Sequence, residues 1–142
     1  HQEIKTRINH NTPNCNSYQK VKNVLNNESK GVYQGKIFVK DIAQKTNAYQ
    51  LSKAMLLSDD SEFDSKPELE IYADDVKCSH GSTSGSIDED SLHYLMTRGL
   101  NRKESTNLLI KGFLNDVVEF IKNPKIKEFV ENKLEEQVNG HK

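Results

Sequence analysis

Order along the chain constrains this sequence more than any single motif: strand-like runs come first, and helical periodicity appears only after residue 86. Between Ser17 and Cys78 the runs are Val21–Leu25, Val32–Val39, Tyr49–Leu57 and Leu69–Cys78. Asn26-Asn27, Asn47-Ala48 and Asp59-Asp60-Ser61 punctuate them, residue types whose side chains satisfy turn backbone locally. Val32–Val39 carries apolar or small residues at both parities near its end, as expected of a strand covered on each side. After residue 86 the character changes. Ser86 or Asp88 can cap a helix running through Leu92, Leu95 and Met96, which Gly99 ends by allowing a left-handed conformation. Asn101-x-x-Glu104 is a capping box, followed by the stripe Leu108, Leu109, Gly112, Phe113, Val117, Phe120 and Ile121. Pro124 opens a third helix with Ile126, Phe129, Val130, Leu134 and Val138 on one side.

Segregated strands and helices exclude a doubly wound α/β fold, where the two alternate. No Asn-Gly, Asp-Gly or Gly-Gly pair joins the strand runs, so a meander of tight hairpins is disfavoured. The end of a sandwich and a β-solenoid both fit, and the missing hairpin signals favour the solenoid. The expected architecture is mainly β with C-terminal α: β-solenoid rungs over residues 1–87 and a helical domain over 88–142. Hydrophobic residues make up 34% of the 142, enough for one ordinary core and too few for a multidomain enzyme. No run approaches the ~18 apolar residues of a membrane span. The sequence starts at His1 without a methionine or a signal-like apolar segment, which predicts a fragment of a longer protein. Open strand edges left by such a cut would favour self-association.

Charge is distributed unevenly. Residues 1–58 hold nine Lys/Arg against three acids, and residues 59–90 hold two against eleven. That is not the clustered basic face with interleaved aromatics of a nucleic-acid binder. Cys15 and Cys78 are far apart and no Cys-x-x-Cys occurs, so neither a zinc ribbon nor a disulfide framework is indicated. Two thiols suit a reducing compartment.

The most unusual stretch is Asp75-Val-Lys-Cys78-Ser-His80-Gly81-Ser-Thr-Ser-Gly85. Cys78 and His80 are two apart; on a strand they share a face, where together they could hold a metal ion or a sulfur species. Gly81-Ser-Thr-Ser-Gly85 lacks the lysine of a Walker loop and is expected to be a small-residue turn from sheet to helix. Asp59-Asp60-Ser61-Glu62-Phe63-Asp64 lacks the mid-loop glycine and terminal glutamate of a calcium loop. Asp88-Glu89-Asp90 complements a helix N-terminus. Neither a Gly-x-Ser-x-Gly elbow nor a His-Glu-x-x-His helix is present, and no enzyme is expected.

The stretch from Asp74 to Phe113 closely resembles the C-terminal part of the SufB/SufD family of iron-sulfur cluster assembly proteins. The likeness rests on Asp74-Asp-Val-Lys-Cys78-Ser-His80-Gly-Ser-Thr, Asp88-Glu-Asp-Ser-Leu-His-Tyr94-Leu-Met-Thr-Arg98-Gly-Leu, Leu108-Leu109 and Gly112-Phe113. Gly35-Lys-Ile, Gln50-Leu51, Leu56-Leu-Ser58 and Pro67-Glu-Leu-Glu-Ile71 extend it over residues 30–122. Cys78-Ser-His80-Gly, with Leu95 where SufB typically has cysteine, sides with the SufD branch. His93, Ser82 and Ser84 depart from the usual Phe, Ala and Val.

The resemblance implies a right-handed parallel β-helix followed by a helical domain, in a non-catalytic scaffold or adaptor subunit of a SufBCD complex. It implies pairing with a SufB-like subunit through the β-helix and with the SufC-like ATPase through the helices. His80 becomes the candidate ligand for a transient iron-sulfur cluster or iron at the interface, with Cys78 a weaker companion and no cofactor firmly bound to this chain. Arg98, Gly99, Leu100 and Asn101 become the candidate ATPase contact, with Gly99 as a pivot. The implied location is cytoplasmic, or a plastid or related organelle in a eukaryote. Within the same likeness, a SufB-like cluster scaffold and a purely structural solenoid module are the alternatives.

Overall fold

The structure is a computed structural model that describes residues 1–140. Six strands precede three helices: β1 Gln2–His10, β2 Asn16–Leu25, β3 Lys30–Val39, β4 Thr46–Leu56, β5 Glu62–Ile71 and β6 Val76–Ser86, then α1 Glu89–Thr97, α2 Arg102–Val118 and α3 Pro124–Gly140. Residues His1–Ser84 form one compact unit, and a second unit begins at Gly85.

Successive strands alternate between two parallel sheets. β1, β3 and β5 form an odd-strand sheet, and β2, β4 and β6 an even-strand sheet, each in that order. The register pairs Gln2 with Gly31, Asn16 with Asn47 and Lys30 with Glu62. These are two separate three-stranded sheets, with no closed or coiled sheet among the described residues, and they overturn the expected right-handed parallel β-helix. The missing hairpin dipeptides rule out tight antiparallel connections, but they carry no information on whether parallel strands close into a coil.

Two strands escape the sequence pattern. β1 offers only Ile4 and Ile8 among polar neighbours, so its strand character comes from pairing with β3. β6 runs through Gly81-Ser-Thr-Ser-Gly85, which is strand and not the expected turn. Small residues carry no strong strand preference, and the ladder to β4 overrides local propensity. The apparent run Leu69–Cys78 is the end of β5 and the start of β6, separated by Tyr72–Asp75.

The interior has an apolar end and a polar middle. Ile37, Val39, Ala43, Ala48 and Ala73 form the apolar cluster, with Leu69, Val76 and Cys78 against it. Further along, Tyr33 is fully buried with its Oη 3.1 Å from Thr6 Oγ1. Ser52 Oγ lies 2.9 Å from Ser65 Oγ and donates to Ser82 Oγ at 3.0 Å. Gly35 faces this interior. A Cβ there would collide with Gln50 Nε2 and Tyr33 Oη and sit 2.7 Å from Gln50 Cδ. On the outer face of the odd-strand sheet, Lys30 bridges Glu62 and Asp64, and Lys36 bridges Glu70 and Glu68. These exposed pairs add little stability.

The helices begin where their caps predict. Asp88 caps α1, and both halves of the capping box link Asn101 and Glu104. In α2 the buried residues are Ser105, Ile110 and Val118, whereas Leu108 and Phe120 of the anticipated stripe are exposed. Lys111–Glu135 and Lys127–Glu119 ion pairs join α2 and its C-cap to α3.

Gly35→Ala should destabilise the strand unit by about 1–3 kcal/mol through overpacking. Gly112→Ala, at an exposed helical site with open space, should stabilise by roughly 0.5–1 kcal/mol. Urea unfolding of the two variants tests both signs. His10 is buried, its Nε2 2.8 Å from Ser17 Oγ, and desolvation holds its pKa below 6.5. Because the folded value is the depressed one, this contribution to stability is complete above pH 6.5 and is lost as pH falls through the folded value. The urea midpoint should therefore drop on acidification below pH 6.5, and His10→Asn should flatten that part of the profile.

Candidate functional site

β6 forms one edge of the even-strand sheet and carries both Cys78 and His80. In a strand, residues 76, 78, 80 and 82 share a face. Two contacts identify it as the inward one: Cys78 packs against the apolar cluster, and Ser82 meets the buried Ser52 hydroxyl. His80 lies between them yet is exposed, because no further strand covers β6 among the described residues.

The two candidate ligands therefore differ in character. Cys78 is half-buried, and burial pushes its thiol pKa above 9.0 against an opposing hydrogen bond from the Ala48 backbone. A desolvated thiol is a poor source of thiolate, the form that binds iron. His80 presents an accessible imidazole. Among the described residues no three His, Cys, Asp or Glu side chains gather as a metal site. Cys78 and His80 supply two ligands at most from this segment.

The second candidate region is the α1–α2 turn. Arg98 is the C-cap of α1, with its guanidinium carbon 5.8 Å from the Tyr94 ring centre. Gly99 has φ +101°, a conformation that disfavours any side chain, and its N–H donates to Met96 O at 3.1 Å. Leu100 N–H reaches back to Leu95 O, and Asn101 starts α2. Arg98, Gly99 and Asn101 are exposed, and Leu100 is half-buried. Beside the turn, Asp90, Ser91, Tyr94, Leu95, Leu108 and Leu109 line a groove of about 490 Å³ between α1 and α2. Tyr94 and Leu108 are 60% and 49% exposed, so apolar surface faces solvent there.

Sequence reasoning did not find the polar residues behind His80. Gln50 is buried, and Gln19 is its level partner across β2 and β4. The signal was present as glutamines at inward-facing strand positions and as Gly35 inside a strand, but it becomes legible only once the pairing fixes which face is inward.

The chain thus comprises a parallel-stranded unit with an exposed imidazole on its edge strand, followed by a three-helix unit. Residues 1–113 match the family model described as "SUF system FeS cluster assembly, SufBD core domain". The chain is 35% identical to the iron-sulfur cluster assembly protein SufD of Escherichia coli, over 97% of this chain and 33% of that protein. It is 39% identical to a SufBD family protein of Synechocystis, over 78% of this chain and 24% of the relative. A chloroplastic protein of Arabidopsis thaliana is 37% identical, over 77% and 23% respectively. The chain belongs to the SufBD core family, with a clear likeness to SufD. It spans a third or less of the length of these relatives.

In a Cys15→Ser background, Cys78 should react with a thiol reagent at neutral pH at least about tenfold more slowly in the native protein than in urea, and faster as pH approaches and passes 9.0. Stopped-flow labelling checks this. Equal native and denatured rates would show Cys78 to be open to solvent.

Proposed function

We propose that this chain is part of a SufD-like adaptor subunit in iron-sulfur cluster assembly, presenting a ligand at a subunit interface without catalysing a reaction itself. The single observation that supports it best is the contrast on β6: His80 exposed on an edge strand, its companion Cys78 turned toward the core. An imidazole that stands alone on an uncovered strand can complete a site whose other ligands come from a second subunit. Neutral imidazole is a competent iron ligand. The cluster is then cargo held briefly between subunits.

In this reading the uncovered edge of β6 meets a SufB-like subunit, and the α1–α2 turn with its apolar groove engages a SufC-like ATPase. Gly99 allows the sharp turn there, and the exposed surface of Tyr94 and Leu108 supplies apolar contact. Family membership and the likeness to SufD support this assignment of partners. The chloroplastic relative supports a plastid setting for eukaryotic members, with the cytoplasm as the bacterial counterpart. No helix is long and apolar enough to cross a membrane among the described residues.

Co-purification of the full-length chain with its complex partners tests both surfaces. His80→Ala should leave complex formation intact and lower cluster yield by about tenfold or more, the scale of a lost metal-site interaction. Unchanged yield would remove His80 from the site. Leu108→Asp should weaken retention of the ATPase while the second subunit stays bound. Undiminished ATPase retention would place its contact elsewhere.

A further inference from the structure

Three side chains form one row across the inward face of the even-strand sheet. The parallel register sets Gln19 level with Gln50. The Ser52–Ser82 bond spans 30 positions, and the contact of Cys78 with the Ala48 backbone has the same separation. His80 therefore stands level with Gln50, one strand away. Neighbouring strands lie about 4.8 Å apart, so level side chains are within reach of each other.

The middle of this row is costly. Gln50 is 2% exposed, and neither Oε1 nor Nε2 has a hydrogen-bond partner among the described residues. Nε2 of Gln19 is likewise buried and unpaired. Gly35 bears no side chain at an inward position, and the Gln50 amide occupies the space left open. A methionine would fill similar volume with no unmet hydrogen bond. Packing therefore does not require an amide at this place.

A coordinating imidazole binds through one ring nitrogen, and the N–H of the other calls for an acceptor that fixes tautomer and ring plane. Gln50 Oε1 is an acceptor of that kind, unspent and level with His80. We infer that Gln50, backed by Gln19, is a positioning residue for His80: its Oε1 accepts the N–H of the ring nitrogen facing away from the cargo, and the Gln19 amide donates to Gln50. The Gln50 amide sits over Gly35, so this bond requires rotation about χ2 and χ3 of Gln50 toward β6. The inference rests on the ligand role proposed for His80, and its test separates the two.

Full-length protein labelled with ¹⁵N-histidine supplies a readout independent of cluster formation, with the His80 signal identified by its loss in His80→Gln. At a pH where the ring is neutral, the wild type should show one dominant His80 tautomer, and Gln50→Met should return it to the mixture of a free imidazole. The same variant should lower cluster yield in the complex by about tenfold. Gln19→Met should shift the tautomer less. A tautomer indifferent to Gln50→Met overturns the inference whatever His80→Ala does. If Gln50→Met does not fold, the wild-type signal alone decides: a free-imidazole mixture overturns the inference, and a single tautomer lost in Gln19→Met sustains it. A tautomer that responds to Gln50→Met while His80→Ala leaves yield unchanged sustains the Gln50–His80 bond and overturns the ligand role.

Discussion

Parallel pairing between strands two apart in the chain is the constraint on which everything else in the strand unit depends. Its mark is a separation near 30 positions, repeated in side-chain bonds such as Lys30–Glu62, Asn16–Asn47 and Ser52–Ser82. Because side chains alternate along a strand, one register decides which residues face inward, and a slip of one residue would exchange the two faces. That register sends Tyr33, Gly35, Ile37 and Val39 inward from β3, and Ala48, Gln50, Ser52 and Ala54 inward from β4. It also places Cys78 and His80 on one face of β6, where burial then separates a sheltered thiol from an accessible imidazole.

The interior is not uniformly apolar, and its composition tracks the candidate site. The aliphatic cluster lies where β3, β4 and β6 begin or end, and the hydroxyl and amide groups occupy the stretch level with His80 and Ser82. Polar groups in such a place rigidify a fold when satisfied and burden it when they are not. The serines are satisfied by one another, whereas Gln50 is not. This difference within one strand singles out Gln50 from the ordinary polar packing around it.

Helical features were the most legible in the sequence because their signals are local. Asp88, the Asn101–Glu104 box, Gly99 and Pro124 each fix a boundary through backbone chemistry within a few residues, and each stands where that chemistry puts it. Helix faces were less legible, since burial of Ile110 and Val118 over Leu108 depends on neighbours the periodicity cannot name. Strand signals were partial. Val32–Val39 announces itself through branched and aromatic residues, but Gln2–His10 and the serine-glycine half of β6 are strands only because a ladder is offered to them. The closed coil expected from the family likeness went beyond what strand spacing can specify, and the two-sheet arrangement replaces it. Cys78 and His80 were found by spacing, while their unequal accessibility required the edge position of β6.

The Ser52 hydroxyl touches Ser65 on β5 and Ser82 on β6, so one oxygen latches the outermost strands of both sheets. An edge strand ordinarily frays by itself, at small cost and without consequence for its surroundings. Here release of β6 would leave the Ser52 hydroxyl proton, which is directed to Ser82, without its acceptor. The margins of the two sheets thus meet at one hydroxyl, and separating the last strand carries the cost of an unpaired donor beneath it.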